Sequence, residues 1–204
     1  MKDVPSGISI NLSGAASELE RTWIAMKNNV VIALFVIFLL LTVLMRSFIL
    51  PFVIVITVPI AGAGGVMGLV VLNQFTAQSL DMLTMLGFII LTGIVVNNSI
   101  LMVEQTLWHI RYESMKISEA ITEATRNRIR PIFMSTLTSL FGLIPLVIFP
   151  GSGSELYRGI GTVVFGGLST SAILTLLMVP PLIALALKFE KVKPISKNTQ
   201  EEFI

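Results

Sequence analysis

The 204-residue chain contains no cysteine, which excludes a disulfide framework and any thiolate-bound metal. It has a single histidine, His109, so a multi-histidine metal cluster is excluded as well. Charge is scarce: Asp, Glu, Lys and Arg make up 13% of residues, where soluble domains carry roughly 25%. Aspartate is nearly missing, and Asp81 only borders an apolar run, so the paired intramembrane aspartates of a protease are absent. No GxSxG, HExxH or phosphate-binding loop occurs. These absences leave no catalytic residue to assign, no metal and no expected cofactor. The net charge of +2 is small, and the basic residues flank apolar runs. That argues against nucleic acid, which calls for a basic stripe on a soluble face. Residues 1–27 are polar and mixed, with no basic stretch running directly into an apolar one, so they are not read as a signal peptide.

What the chain has is hydrocarbon. It is 54% hydrophobic, with a mean hydropathy of +0.88, which marks an all-α integral membrane protein and makes the lipid bilayer its first partner. A spanning helix needs ~20 apolar residues. Five stretches qualify, at about 23–45, 49–72, 82–104, 131–149 and 159–187. Residues 1–22 precede the first, and 189–204 form a tail after the last.

An odd number of spans places the termini on opposite sides. Ten basic residues fall on one side (Arg46, Arg111, Lys116, Arg126, Arg128, Arg130, Lys188, Lys191, Lys193, Lys197) and four on the other (Lys2, Arg21, Lys27, Arg158). Basic residues favour the cytoplasm. The expectation is therefore an external N-terminus and a cytoplasmic C-terminus. Between the third and fourth spans, Ile117, Ala120, Ile121 and Ala124 recur at helical spacing. Ser118 is a candidate cap, and Arg126 and Arg128 suit a helix end. A short helix over about 118–128, lying on the inner membrane surface, is predicted, with the fourth span starting at Pro131.

Lipid tails provide no hydrophobic drive between helices, so close packing depends on small residues. The second span offers Gly64 and Gly68 at GxxxG spacing, and the fifth offers Gly166 and Gly167. Pro59, Pro145 and Pro180-Pro181 should kink or end their helices.

The third span carries the most informative string, Gly93-Ile-Val-Val-Asn97-Asn98-Ser-Ile-Leu-Met-Val-Glu104. Polar groups at bilayer depth are costly and normally face other helices or a wet path. Gly93, Asn97 and Glu104 share a face at spacings of four and seven, and Gly93 marks where another helix can approach. Ser135, Thr136, Thr138 and Ser139 on the fourth span extend this into a polar seam. Two readings stand evenly: hydrogen-bonded glue between helices, or the lining of a proton path. Asparagine does not titrate, so a proton carrier would be a carboxylate elsewhere. His109 sits between Trp108 and Tyr112 at an expected interface, an aromatic-belt composition.

Several strings, in order, carry a family resemblance. They are residues 12–18 (LSGAASE), 46–51 (RSFILP), 58–60 (VPI), 93–104 (GIVVNNSILMVE), 119–124 (EAITEA), 128–135 (RIRPIFMS), 142–146 (GLIPL) and 159–167 (GIGTVVFGG). On them, the chain resembles the C-terminal part of a resistance-nodulation-division (RND) efflux permease of the hydrophobe/amphiphile branch, over about residues 6–188. The resemblance implies helices eight to twelve of a twelve-helix membrane domain built as two six-helix repeats. Residues 1–22 would then end a periplasmic porter segment. It further implies a proton-driven pump whose partners are the rest of the permease, two more copies in a homotrimer, a periplasmic adaptor and an outer-membrane channel. The family's coupling network pairs titrating aspartates on helix four with a lysine, an arginine and a threonine. Here those three positions hold Asn97, Arg128 and Ser135, with Asn98 adjacent. A lysine exchanges salt bridges as an aspartate protonates, whereas asparagine exchanges only hydrogen bonds. A non-transporting remnant and another superfamily member, moving protein or lipid, are the competing readings.

Overall fold

The structure is a computed structural model that describes residues 15–76, 78, 80–149, 151 and 154–189, without the side chains of 15–19, 22, 154 and 155. Among these residues it is all-α. Six helices follow in order: α1 (Ala15–Met45), α2 (Ile49–Val55), α3 (Thr57–Asn73), α4 (Met82–Tyr112), α5 (Ile117–Ile148) and α6 (Ser154–Phe189). They make five helical stretches long and apolar enough to cross a membrane, α2 and α3 together forming one. The chain is a multi-pass membrane protein, and its many exposed Leu, Ile, Val and Phe side chains are what a lipid solvent permits.

Local chemistry sets the breaks. After α1, Arg46 adopts a left-handed backbone with φ 53°. The Ser47 N–H donates to the Thr42 carbonyl (3.4 Å), a Schellman-type closure. The Ser47 hydroxyl then accepts from the Leu50 N–H (3.2 Å), helping to start α2. The second span breaks at Ile56, where Pro59 removes a donor and crowds the carbonyl four residues back. Nearby, the Thr57 hydroxyl donates to the Ile54 carbonyl (2.6 Å). Asp81 caps α4, its carboxylate accepting from the Thr84 N–H (2.7 Å), a favourable charge at a helix N-terminus.

Three boundaries differ from the sequence reading. The surface helix expected over 118–128 and the span expected from Pro131 are one helix, α5. The physical reason is phase. Ala120, Ala124, Ile132 and Thr136 are all buried; with Arg128 they form an unbroken stripe at intervals of four, which passes straight through Pro131. A continuous packed stripe outweighs the one backbone bond the proline removes. Ser118 is not the cap, because α5 begins at Ile117 after Lys116. The third span runs on to Tyr112 rather than ending near 104, and α1 begins at Ala15, ahead of an apolar span that covers Trp23–Met45 as expected. Residues 1–14 and 190–204 lie outside the described residues.

Helix α6 is the hub, packing against α2, α3, α4 and α5. One apolar cluster joins the ends of α1, α4 and α6 to α2 and the start of α5, through Leu41, Leu50, Ile54, Met102, Val103, Val179 and Ile183. A second joins α3, α4 and α6 through Ala61, Leu69, Leu91, Val95, Val163 and Leu168.

Candidate functional site

The contact of α3 with α6 is backbone against backbone. A Cβ on Gly64 would lie 2.5 Å from the Thr170 Cβ, and one on Gly68 would lie 2.9 Å from the Thr162 carbonyl oxygen. A Cβ on Gly166 would lie 2.7 Å from the Gly64 carbonyl oxygen. These approaches admit only glycine. Gly167 differs: a Cβ there would press only on the side-chain end of Leu91 of α4, which can move aside. Gly93 does not belong with them: a Cβ there would meet nothing within 4 Å. Within this chain the expected packing role of Gly93 has no partner, because its face of α4 is exposed and no described helix reaches it.

That open face is the one that carries Asn97. Asn97 is exposed, Asn98 is half-buried and Ser99 is fully buried. The Ser99 and Thr57 hydroxyls lie 3.2 Å apart in hydrogen-bond contact, tying α4 to α3. Sequence reasoning singled out the two amides and passed over this serine. Its signal was present, one position further along a buried face shared with Val95 and Val96.

Arg128 sits on the buried stripe of α5. It is half-buried, and its Nε is buried with no hydrogen-bond partner among the described residues. A buried N–H without an acceptor is costly. Ser135 is exposed, and its hydroxyl donates to the Ile132 carbonyl (3.1 Å) of its own helix, while Thr136 is buried. Helices α4 and α5 pack together. Among the described residues, however, no hydrogen bond or ion pair joins Asn97, Asn98, Arg128 and Ser135. The seam is two polar faces, one open and one carrying an unpaired guanidinium nitrogen.

His109 is not the belt residue expected. It is buried, and its Nδ1 lies 2.6 Å from the Glu113 Oε2. Its Nε2 has no partner among the described residues. The exposed rings are Trp108 and Tyr112, tilted together with centroids 6.0 Å apart. On the next turn, Arg111 donates to the Met45 carbonyl (3.1 Å), neutralising the C-terminus of α1. Among the described residues no cluster of three or more metal-ligating side chains forms.

The family pattern described as AcrB/AcrD/AcrF matches residues 1–186. The chain belongs to this family of RND transporters. It is 31% identical to the swarming motility protein SwrC of Bacillus subtilis over 98% of its own length and 18% of that protein. It is 34% identical to the multidrug resistance protein MdtC of Erwinia amylovora over 87% of its own length and 17% of that protein. A crystal structure of a heavy metal efflux pump superposes with a TM-score of 0.76 at 29% identity, covering 92% of this chain and 18% of that one. The chain thus spans less than one-fifth of the relatives it matches. The all-α membrane architecture and the RND membership expected from the motifs both hold.

Proposed function

We propose that this chain is one half of the proton-coupling membrane domain of an RND permease that exports hydrophobic or amphiphilic compounds, as an antiporter in a bacterial inner membrane. The observation that carries the reading is the buried, unpartnered Nε of Arg128, on a helix packed against the one that exposes Asn97. A guanidinium is cationic at any working pH, and an anion brought to it would gain a charge-assisted bond. The rest of the permease would bring the titrating carboxylate across the open α4 face. Asn97 would trade hydrogen bonds with that carboxylate as it gains and loses a proton, while Arg128 and Ser135 bias its charged form. Asn98 stands beside the network. Deprotonated, the acid is held; protonated, it is released, and the helices are free to rearrange. Support for the drug branch comes from the 93–104 and 128–135 strings and from the name of the MdtC relatives. The partners this implies are helices one to seven, the porter domain, a homotrimer, an adaptor and an outer-membrane channel.

The test is drug efflux beside membrane abundance in a permease that contains this segment. Arg128→Ala and Asn97→Leu should lower efflux about tenfold, the scale of one charge-assisted bond, at unchanged abundance. Ser135→Ala should lower it partly and Asn98→Leu least. Normal efflux by the Asn97→Leu pump ends the claim for that residue. Loss of abundance in place of efflux assigns these side chains to assembly.

A further inference from the structure

A groove of about 860 Å³ lies between α3, α6 and the end of α5, apart from the Asn97 face. It is within the usual size range of small-molecule sites. Its walls are apolar, with Met67, Val71, Phe75, Ile148 and Phe165 among them, and one charged side chain lines it, Arg158. Arg158 is only 6% exposed. Its Nε is buried without a hydrogen-bond partner, and no ion pair involving it occurs among the described residues.

The other polar side chains of the groove on α6 are already satisfied. The Thr162 hydroxyl donates to the Arg158 carbonyl (2.8 Å), Ser169 to the Phe165 carbonyl (2.8 Å) and Thr170 to the Gly166 carbonyl (2.9 Å). Arg158 is thus the one charged side chain of the groove, its Nε still lacks an acceptor, and an anion would supply one as a charge-assisted bond. From Arg158 to Thr170 the lining climbs about 18 Å along α6, at ~1.5 Å per residue. That is close to one leaflet of a hydrocarbon core ~30 Å thick. The rim residues Met67, Val71 and Phe75 are exposed, so the groove is continuous with the lipid-facing surface. An occupant with one anionic head, a tail of leaflet length and lateral access is a membrane phospholipid.

We infer that the α3–α6 groove holds an acyl chain of an anionic phospholipid whose phosphate accepts from Arg158. Under the topology proposed for the chain, the lipid belongs to the outer leaflet. Gly64, Gly68 and Gly166 draw α3 and α6 together where they line the groove, and the tail lies against that contact beside Met67, Val71 and Phe165. The inference is independent of the proton-coupling reading, since neither Asn97 nor Arg128 lines the groove.

The test uses the full chain purified in detergent, offered phosphatidylglycerol, phosphatidylcholine or oleate, with retained adducts counted by native mass spectrometry. Phosphatidylglycerol should be retained over phosphatidylcholine. Arg158→Gln should lower its retention about tenfold, the effect of one charge-assisted bond, and Arg158→Lys should recover part. Val71→Trp, on the exposed rim, should lower retention while leaving Arg158 intact, and it serves as the probe if Arg158→Gln loses its helical circular dichroism. Arg126→Gln, exposed on α5, should change nothing. Equal retention of phosphatidylglycerol by Arg158→Gln and the unaltered chain overturns the site. Equal retention of phosphatidylcholine overturns the head-group assignment. Retention of oleate but not phosphatidylglycerol makes the groove a site for carboxylated amphiphiles and overturns the lipid.

Discussion

At Ser99 and Thr57, two small hydroxyls do what larger polar groups would do poorly inside hydrocarbon. Each is buried, the Thr57 hydroxyl donates to the Ile54 carbonyl, and the two oxygens lie 3.2 Å apart. The pair links α3 to α4 without placing a charge in the membrane. Interhelical hydrogen bonds of this kind average about 0.6 kcal/mol. A double-mutant cycle of Thr57→Val and Ser99→Ala should give a coupling energy of that size, measured by reversible unfolding in detergent. A coupling of zero would mean that the hydroxyls serve only their own helices. Asn97 shows the opposite condition. Its amide is as polar as any in the span, yet it is exposed and makes no hydrogen bond among the described residues. A polar group left open at bilayer depth is a liability unless something covers it, and this asymmetry is what separates it from Ser99.

The helices differ in how they solve the packing problem. Helices α3 and α6 approach through glycine, so small additions there act on backbone that cannot yield. Gly166→Ala should destabilise the chain by about 1–3 kcal/mol, the scale of overpacking, and lower its abundance in membranes. Gly93→Ala should leave both unchanged in this chain, because the space around it is open. If the two variants behave alike, close glycine contact is not what joins α3 to α6. Helix α5 takes another route. It is 32 residues long, about 48 Å, so it is longer than a ~30 Å hydrocarbon core, and Arg126, Arg128 and Arg130 lie just before its apolar stretch. Pro131 lies inside it and removes a donor without ending it. Pro131→Ala should restore that bond and slow hydrogen exchange at the neighbouring amides without lengthening the helix. A helix that lengthens or re-registers would show that the proline sets the boundary after all.

For the whole molecule, the ten-to-four division of basic residues predicts which way the bundle sits. Reporter fusions after Asn73 and Ser154 should give periplasmic signals, and fusions after Tyr112 and Lys193 cytoplasmic ones. A cytoplasmic signal at Ser154, or a periplasmic one at Lys193, would reverse the topology and move the Arg158 groove to the inner leaflet. The same scale governs activity. Residues 1–204 expressed alone in a pump-deficient host should leave drug susceptibility unchanged, because Asn97, Ser135 and Thr136 do not titrate near neutral pH. Clear resistance, or proton uptake driven by drug in vesicles, would show that the chain carries its own coupling acid.

Much of this architecture was legible in the residues. Span number and span centres follow from hydrophobic length, which depends on composition and on bilayer thickness and needs no knowledge of neighbours. The same holds for the glycines at 64, 68, 166 and 167, since few other reasons put so many hydrogen-only side chains in one apolar run. The family was legible too, because its motifs are long and ordered. Tertiary structure decided what depends on partners. It merged the expected surface helix with the fourth span, because a stripe that packs on both sides of Pro131 keeps one axis. It placed Gly93 in open space, buried His109 against Glu113, and passed the interhelical bond from the asparagines to Ser99. It also left Arg158 buried beside a groove that no local pattern announces. Burial and hydrogen bonding are properties of pairs brought together from distant positions, as Thr57 and Ser99 are, and one-dimensional periodicity records only which residues share a face.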